Sequence, residues 1–234
     1  MCSSDLGLEA AAALRAYQIE VHVVGPDARP LERVLGAELG DLIRKIHEDQ
    51  GVIFHLGDSA TAIDGGRVTL KNGTTLPADL VITGIGVRPR VQLAERAGLK
   101  IDRGVVVDAY LETSVPGIFA AGDIARWPDA QTGENTRIEH WVVAERHGQT
   151  AARNMLGQKQ RFADAPFFWS EHYDTPIRYV GHAEKWDELA VEGDVQSRDC
   201  LVRYRQNGRT LAAASIARDL ANLKEELSLE RAPR

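Results

Sequence analysis

Residues 113–123, Thr-Ser-Val-Pro-Gly-Ile-Phe-Ala-Ala-Gly-Asp, close an apolar run on one glycine and one carboxylate. Pro116-Gly117 leads into Ile118, Phe119, Ala120 and Ala121, a block that predicts a short buried parallel strand rather than a helix. At its carboxyl end Gly122 lets a ligand come close to the backbone, and Asp123 offers an acceptor to a sugar hydroxyl. Open α/β sheets bind ligands at such strand ends. The same two residues also suit a plain Gly-Asp turn leaving a core.

Local patterning supplies the elements that must hold this strand end. Alanine-rich residues 6–17 predict a helix, followed by a strand over 19–24. Leu35, Leu39, Leu42, Ile43 and Ile46 fall at helical spacing within 35–49, and Gly51 closes that helix before a strand at 52–56. Alternation of this kind predicts an α/β fold with a parallel sheet. Asn72-Gly73 between alternating apolar residues marks a hairpin over 67–76, and the run at 78–83 reads as a second parallel strand entering Gly84-Ile-Gly86. A helix over 139–156 carries Ala144, Gly148, Ala151 and Ala152 for close packing. From Phe162 the texture changes. Residues 178–181, 189–192, 200–204 and 210–216 are β-rich, and 218–230 close as an amphipathic helix, which predicts a separate small α+β domain.

Composition narrows the function classes. The 234 residues are 44% hydrophobic, enough to bury one large core or two small ones. A net charge of −6 with a pI near 5.7, and scattered Lys and Arg, give no nucleic-acid footprint and no membrane-binding basic face. No apolar run approaches the roughly 20 residues that span a bilayer. Met1-Cys-Ser-Ser-Asp5 has neither a basic n-region nor an apolar h-region, so a secretory signal is not expected and a reducing cytoplasm is. Cys2 and Cys200 form no CxxC pair and imply neither a disulfide scaffold nor a metal knuckle. His47, His55, His140, His147, His172 and His182 fall in no HExxH or Cys/His cluster, so surface or capping histidines are expected and no metal ligands.

Further stretches stand in a definite order: Gly7-Leu-Glu9, Arg29-Pro-Leu-Glu-Arg33, Gly84-Ile-Gly-Val-Arg-Pro89, Val105-Val-Val-Asp108, Glu139-His-Trp141 and Phe167-Phe-Trp-Ser170. With the Gly122-Asp123 motif, they make the chain from Leu6 onward resemble the latter part of a ferredoxin or rubredoxin reductase. These enzymes belong to the FAD/NAD(P)-dependent pyridine nucleotide oxidoreductases, as do apoptosis-inducing factor and the reductase components of aromatic-ring dioxygenases. The resemblance implies an incomplete Rossmann-like NAD(P)-binding domain over 1–86 and a returning segment of the FAD-binding domain over 87–160. A C-terminal α+β interface domain over 161–234 completes it.

The resemblance also implies FAD and NAD(P)H as cofactors and a ferredoxin- or rubredoxin-type electron acceptor. It puts Gly122 and Asp123 at the ribityl chain, Glu9 in the nicotinamide pocket, and Trp141 beside the isoalloxazine. Glu139, His140 and Trp141 open a helix whose positive amino end suits the anionic reduced flavin. Phe168 and Trp169 cover the flavin edge facing the acceptor, while Gly84 and Gly86 let nicotinamide and the domain crossover pass close to backbone. Hydride and electron transfer through a flavin demands no catalytic acid, base or nucleophile from the chain. Disulfide reductases of the same architecture need a redox cysteine pair and a C-terminal His–Glu couple, and neither appears in these residues.

Two departures qualify the resemblance. Of the Gly-x-Gly-x-x-Gly turn that cradles a pyrophosphate only Gly7 is present, with no apolar strand before it, so the first βα turn is truncated or replaced and weak or no FAD retention is expected. Gly25-Pro26-Asp27 stands where NAD-preferring members carry an acidic residue, and Asp27 or Arg29 offers opposite coenzyme preferences. An inactive fragment, an interaction module or an NAD(P)H oxidase passing electrons to oxygen are the alternative functions.

Overall fold

The computed structural model describes residues 3–231; the expectation for Cys2 lies outside the described residues. Helix α1 (Ser3–Ala16) leads into β1 (Val21–Gly25), α2 (Glu32–Asp49) and β2 (Val52–Leu56). The two strands pair in parallel, from Val21 opposite Val52 to Gly25 opposite Leu56. β1 starts later than its sequence pattern predicts. Gln18 turns with φ of 61°, and Arg15 Nη1 donates to the Ile19 carbonyl at 2.6 Å, holding that residue outside the ladder. The stripe on α2 is buried as its spacing predicts, with Leu35, Leu39, Leu42, Ile43 and Ile46 all in the core. Gly36 breaks the helix at φ of 82°, where an added Cβ would meet Leu189 Cδ1 at 3.0 Å.

A three-stranded antiparallel sheet follows, β3 (Ala60–Asp64), β4 (Arg67–Leu70) and β5 (Thr75–Pro77), with the Asn72-Gly73 turn where expected. β3, joined to β4 through Gly65-Gly66, was not legible as a strand because its five residues all stay exposed. The expected parallel strand at 78–83 is not formed. Among the described residues no backbone bonds to residues 79–90 from a neighbouring strand, and Leu80, Ile82 and Ile85 are left exposed. An apolar run becomes a strand only when a partner ladder satisfies it.

After α3 (Gln92–Arg96), β6 (Val105–Val106) pairs in parallel with β7 (Ala125–Pro128), which pairs with β8 (Asn135–Thr136). The expected strand at 118–121 is likewise corrected, since only a single bridge from Phe119 to Glu112 forms and Gly122–Ile124 make a 3-10 turn. Helix α4 (Trp141–Met155) buries Val143, His147, Thr150 and Ala151, while Gly148 and Ala152 face solvent rather than packing closely.

The C-terminal part is a five-stranded antiparallel sheet of β9 (Phe167–His172), β10 (Thr175–Gly181), β11 (Glu188–Asp194), β12 (Asp199–Gln206) and β13 (Arg209–Ile216), in the order β11-β12-β13-β10-β9. Helix α5 (Asp219–Arg231) closes it, but Leu220, Leu223 and Leu227 point outward while Asn222 and Leu229 are buried, so the apolar stripe is not the packed face. One core joins α2 to this sheet. Leu35, Leu39 and Ile43 pack with Ile177, Tyr179 and Tyr204, and the Tyr204 hydroxyl donates to the Leu35 carbonyl at 2.8 Å. Each such leucine or isoleucine contributes about 1.5–3 kcal/mol when fully buried. The expected mixed architecture, α/β followed by α+β, is what forms. No helix among the described residues is long and apolar enough to cross a membrane.

Candidate functional site

Gly122 is buried, with φ of 75°, and an added Cβ would lie 3.3 Å from that of Ala144 on α4. Only glycine makes this turn without strain. Its N–H donates to His147 Nδ1 at 3.2 Å. Burial pushes the His147 pKa down to about 4, so the ring is neutral with its proton on Nε2, packed edge-on against Trp127. Asp123 is exposed, and its carboxylate has no hydrogen-bond partner among the described residues. Its carbonyl accepts Arg137 Nη1 at 2.9 Å, and Arg137 Nη2 pairs with Glu139 Oε1 at 2.7 Å.

That ion pair leads to the start of α4. His140 caps the helix in an extended conformation with no side-chain cap bond, so no side chain satisfies the first-turn N–H groups. Burial holds the His140 imidazole neutral, well below its usual pKa, and its Nδ1 is buried without a partner. Its ring lies 4.7 Å from that of Phe168 on β9, and Trp141 is 75% exposed. An open cleft of about 370 Å³ lies here, lined by Arg33, Arg137, Glu139, His140, Phe168 and His182.

Strand β9 carries the line of contacts onward. Alternation turns Phe168, Ser170 and His172 inward and leaves Trp169 43% exposed. Glu9 Oε1 accepts from Ser170 Oγ at 3.1 Å and from the Glu171 N–H at 3.0 Å. Ser170 also meets Asp5 at 3.2 Å and His172 Nε2 at 3.3 Å, and His172 Nδ1 lies 3.0 Å from His47 Nε2. Contacts therefore link Asp123 through Arg137 to Glu139, His140 to Phe168, and Ser170 to Glu9, and the chain itself joins Glu139 to His140 and, along β9, Phe168 to Ser170.

The remaining expected residues stand apart from this series. Gly7 is half-buried inside α1, and an added Cβ would meet no atom within 4 Å. Gly84 and Gly86 lie in the exposed 79–90 segment, with no hydrogen bond to the site among the described residues; Gly86 takes φ of 97°, which calls for glycine. His47, His147 and His172 are fully buried, not the surface histidines their motif context suggests. The signal was present. His47 follows Ile43 by four on the buried α2 stripe, His147 follows Val143 by four on α4, and His172 alternates with Ser170 on β9. Among the described residues no group of three or more His, Cys, Asp or Glu could hold a metal ion.

Residues 3–148 match the family described as "Pyridine nucleotide-disulphide oxidoreductase", and residues 167–230 match "Reductase C-terminal". The chain belongs to the pyridine nucleotide-disulphide oxidoreductase family. It is 36% identical to the anthranilate 1,2-dioxygenase system ferredoxin--NAD(+) reductase component of Burkholderia cepacia, over 90% of this chain and 53% of that protein. Putidaredoxin reductase of Pseudomonas putida is 34% identical over 97% of this chain and 56% of its own length. Among solved structures, the covalent putidaredoxin reductase–putidaredoxin complex superposes with a TM-score of 0.93 at 31% identity, covering 97% of this chain and 56% of that one. The ferredoxin reductase for the CYP199A2 system of Rhodopseudomonas palustris gives 0.88 at 33%, covering 93% and 55%. The chain spans about half the length of the curated relatives it matches. In this family member the Glu9–Ser170 hydrogen bond joins the two matched segments directly, because Glu9 lies in the first and Ser170 in the second.

Proposed function

We propose that this chain forms the nicotinamide-facing and acceptor-facing part of an FAD-dependent NAD(P)H oxidoreductase that passes electrons to a ferredoxin- or rubredoxin-type acceptor. The observation that carries the reading is the row of residues from Asp123 to Glu9, held by contacts and by adjacent chain positions and flanked by two exposed tryptophans, Trp141 and Trp169. The division into 1–86, 87–160 and 161–234 belongs to the same proposal.

The residues present fit a flavin. The Gly122 turn is open only to glycine, Asp123 has a free acceptor, the N–H groups opening α4 have no side-chain cap, and His140 Nδ1 is buried and unbonded. Gly122 and Asp123 would hold the ribityl chain, and the α4 amino end would face the ring beside Glu139, His140 and Trp141. When bound, FAD supplies the conversion of a two-electron hydride into single electrons. Glu9 orients the nicotinamide, and Trp169 stands toward the acceptor. Gly7, Gly84 and Gly86 contribute backbone clearance around the dinucleotide. NADH fits better than NADPH: Arg29 is already paired with Asp41 at 2.7 Å and Glu32 at 3.0 Å, and Arg33 with Asp27 at 2.6 Å, so a 2′-phosphate finds its cations engaged.

The test adds FAD and then NADH to the purified chain, following flavin fluorescence and tryptophan quenching. NADH is expected to bind, FAD to bind weakly and Asp123→Ala to abolish the FAD signal. A chain that takes up neither nucleotide overturns the proposal. NADH consumption that does not change when a ferredoxin-type acceptor is withheld identifies oxygen as the acceptor instead.

A further inference from the structure

Ser170 sits where three elements cross, with α1 contributing Asp5 and Glu9, β9 contributing His172, and α2 contributing His47 behind it. Ser170, His172, His47 and Asp5 are each 2% exposed or less. Glu9 Oε1 takes two hydrogen bonds from β9, whereas Glu9 Oε2 has no partner among the described residues. One oxygen is thus tethered and the other presented.

The direction of the protons in this row follows from counting donors. Burial keeps both imidazoles neutral, with pKa values pushed down to about 4 for His47 and about 3 for His172, so each ring carries one N–H. Ser170 has one O–H and two carboxylate oxygens in reach, Glu9 Oε1 at 3.1 Å and Asp5 Oδ1 at 3.2 Å, and it donates to the nearer, Glu9. His172 Nε2 must then donate to Ser170 Oγ, which leaves His172 Nδ1 bare to accept from His47 Nε2. The row ends at His47 Nδ1, which is buried without a partner. With this assignment the orphan is a lone pair. The reverse assignment would bury an unpaired N–H, the rarer and costlier arrangement.

We infer that Ser170 is a positioning residue for coenzyme binding: its hydroxyl, oriented through His172 and His47, fixes the Glu9 carboxylate so that Oε2 meets the nicotinamide. This rests on the proposed place of Glu9 beside the nicotinamide. It also makes the nucleotide helix and the acceptor-facing strand one unit, because the residue before Ser170 is Trp169.

NADH titrations of the full chain, read as a Kd from tryptophan quenching, test it with four proteins: unaltered, Glu9→Gln, Ser170→Ala and the double variant. Ser170→Ala is expected to raise the Kd about tenfold, the scale of one hydrogen bond to a charged group. Glu9→Gln raises it at least as much, and the double variant is no worse than Glu9→Gln alone. Ser170→Thr, which keeps the hydroxyl, restores binding. Circular dichroism melts check that each variant folds, and a role confined to packing would lower Tm while leaving the Kd unmoved. If Glu9→Gln weakens NADH binding and Ser170→Ala does not, or if the two add independently, the inference is overturned alone. If the unaltered chain binds no NADH, or Glu9→Gln has no effect, the reading beneath it falls as well.

Discussion

Replacing Asp5 by asparagine is expected to stabilise the protein near neutral pH, and the gain must disappear in acid. Asp5 is buried in the first turn of α1, and burial, reinforced by the charge of Glu9, raises its pKa from 3.8 to about 6. A carboxyl whose pKa is raised on folding stabilises the folded state only while protonated. That contribution is complete below the unfolded value near 3.8 and is lost as pH rises through about 6. The shift corresponds to about 3 kcal/mol of penalty above pH 6. Asparagine removes the buried charge and leaves the Ser170 hydroxyl its Glu9 acceptor, but forfeits the favourable interaction of a charge with the helix amino end, about 0.3–1 kcal/mol. The net expectation is about 2 kcal/mol in favour of Asp5→Asn at pH 8, shrinking toward zero or below at pH 4. Urea denaturation of both proteins at half-unit pH steps measures it. A pH-independent difference, or a variant less stable at pH 8, would refute the assignment of Asp5 as a strained carboxylate.

The total stability of the unaltered chain should run the other way with pH. His47, His147 and His172 have depressed folded pKa values, so the stability they give is present above 6.5 and lost at about 4 kcal/mol per pH unit as pH falls toward 4; a flat urea midpoint over that range would contradict it. Gly36→Ala should cost at least ~2 kcal/mol, combining a left-handed backbone with a 3.0 Å approach to Leu189, and a thermal melt reads it. Tyr204→Phe strands the buried Leu35 carbonyl and should cost ~1–3 kcal/mol in the same assay. Under the proposed function, Trp169→Ala, at a position 43% exposed, should leave the melt unchanged while slowing electron delivery to a ferredoxin-type acceptor in a stopped-flow comparison.

Local spacing made much of this fold readable. The leucine and isoleucine stripe of α2, the Asn72-Gly73 turn and strands β10 to β13 are set by neighbours within a few residues, and each lies where its pattern puts it. The runs at 78–83 and 118–121 carry equally apolar patterns yet form no ladder, because strand formation depends on a second backbone that the run itself does not encode. The buried histidines mark a different limit. Their spacing placed them on inward faces, but a search for metal motifs asks about ligand sets and passes over burial. Neutral histidines on apolar faces need hydrogen-bond partners, and those partners come from other elements.

Distance in sequence explains why the candidate site was only half legible. Gly122-Asp123 and Glu139-His140-Trp141 are short motifs, each visible in one window, and Arg137 and His147 tie them together across at most 25 residues. The contact that orients Glu9 spans 161 residues, and nothing local in either Gly7-Leu-Glu9 or Phe167-Phe-Trp-Ser170 announces the other. It forms because α2 packs against the C-terminal sheet, and α1 then meets the inward face of β9, where Ser170 and His172 alternate with Phe168. A serine there is small enough to be buried and polar enough to need a partner. The carboxylates of α1 supply that partner, so the packing that builds the core also aims Glu9.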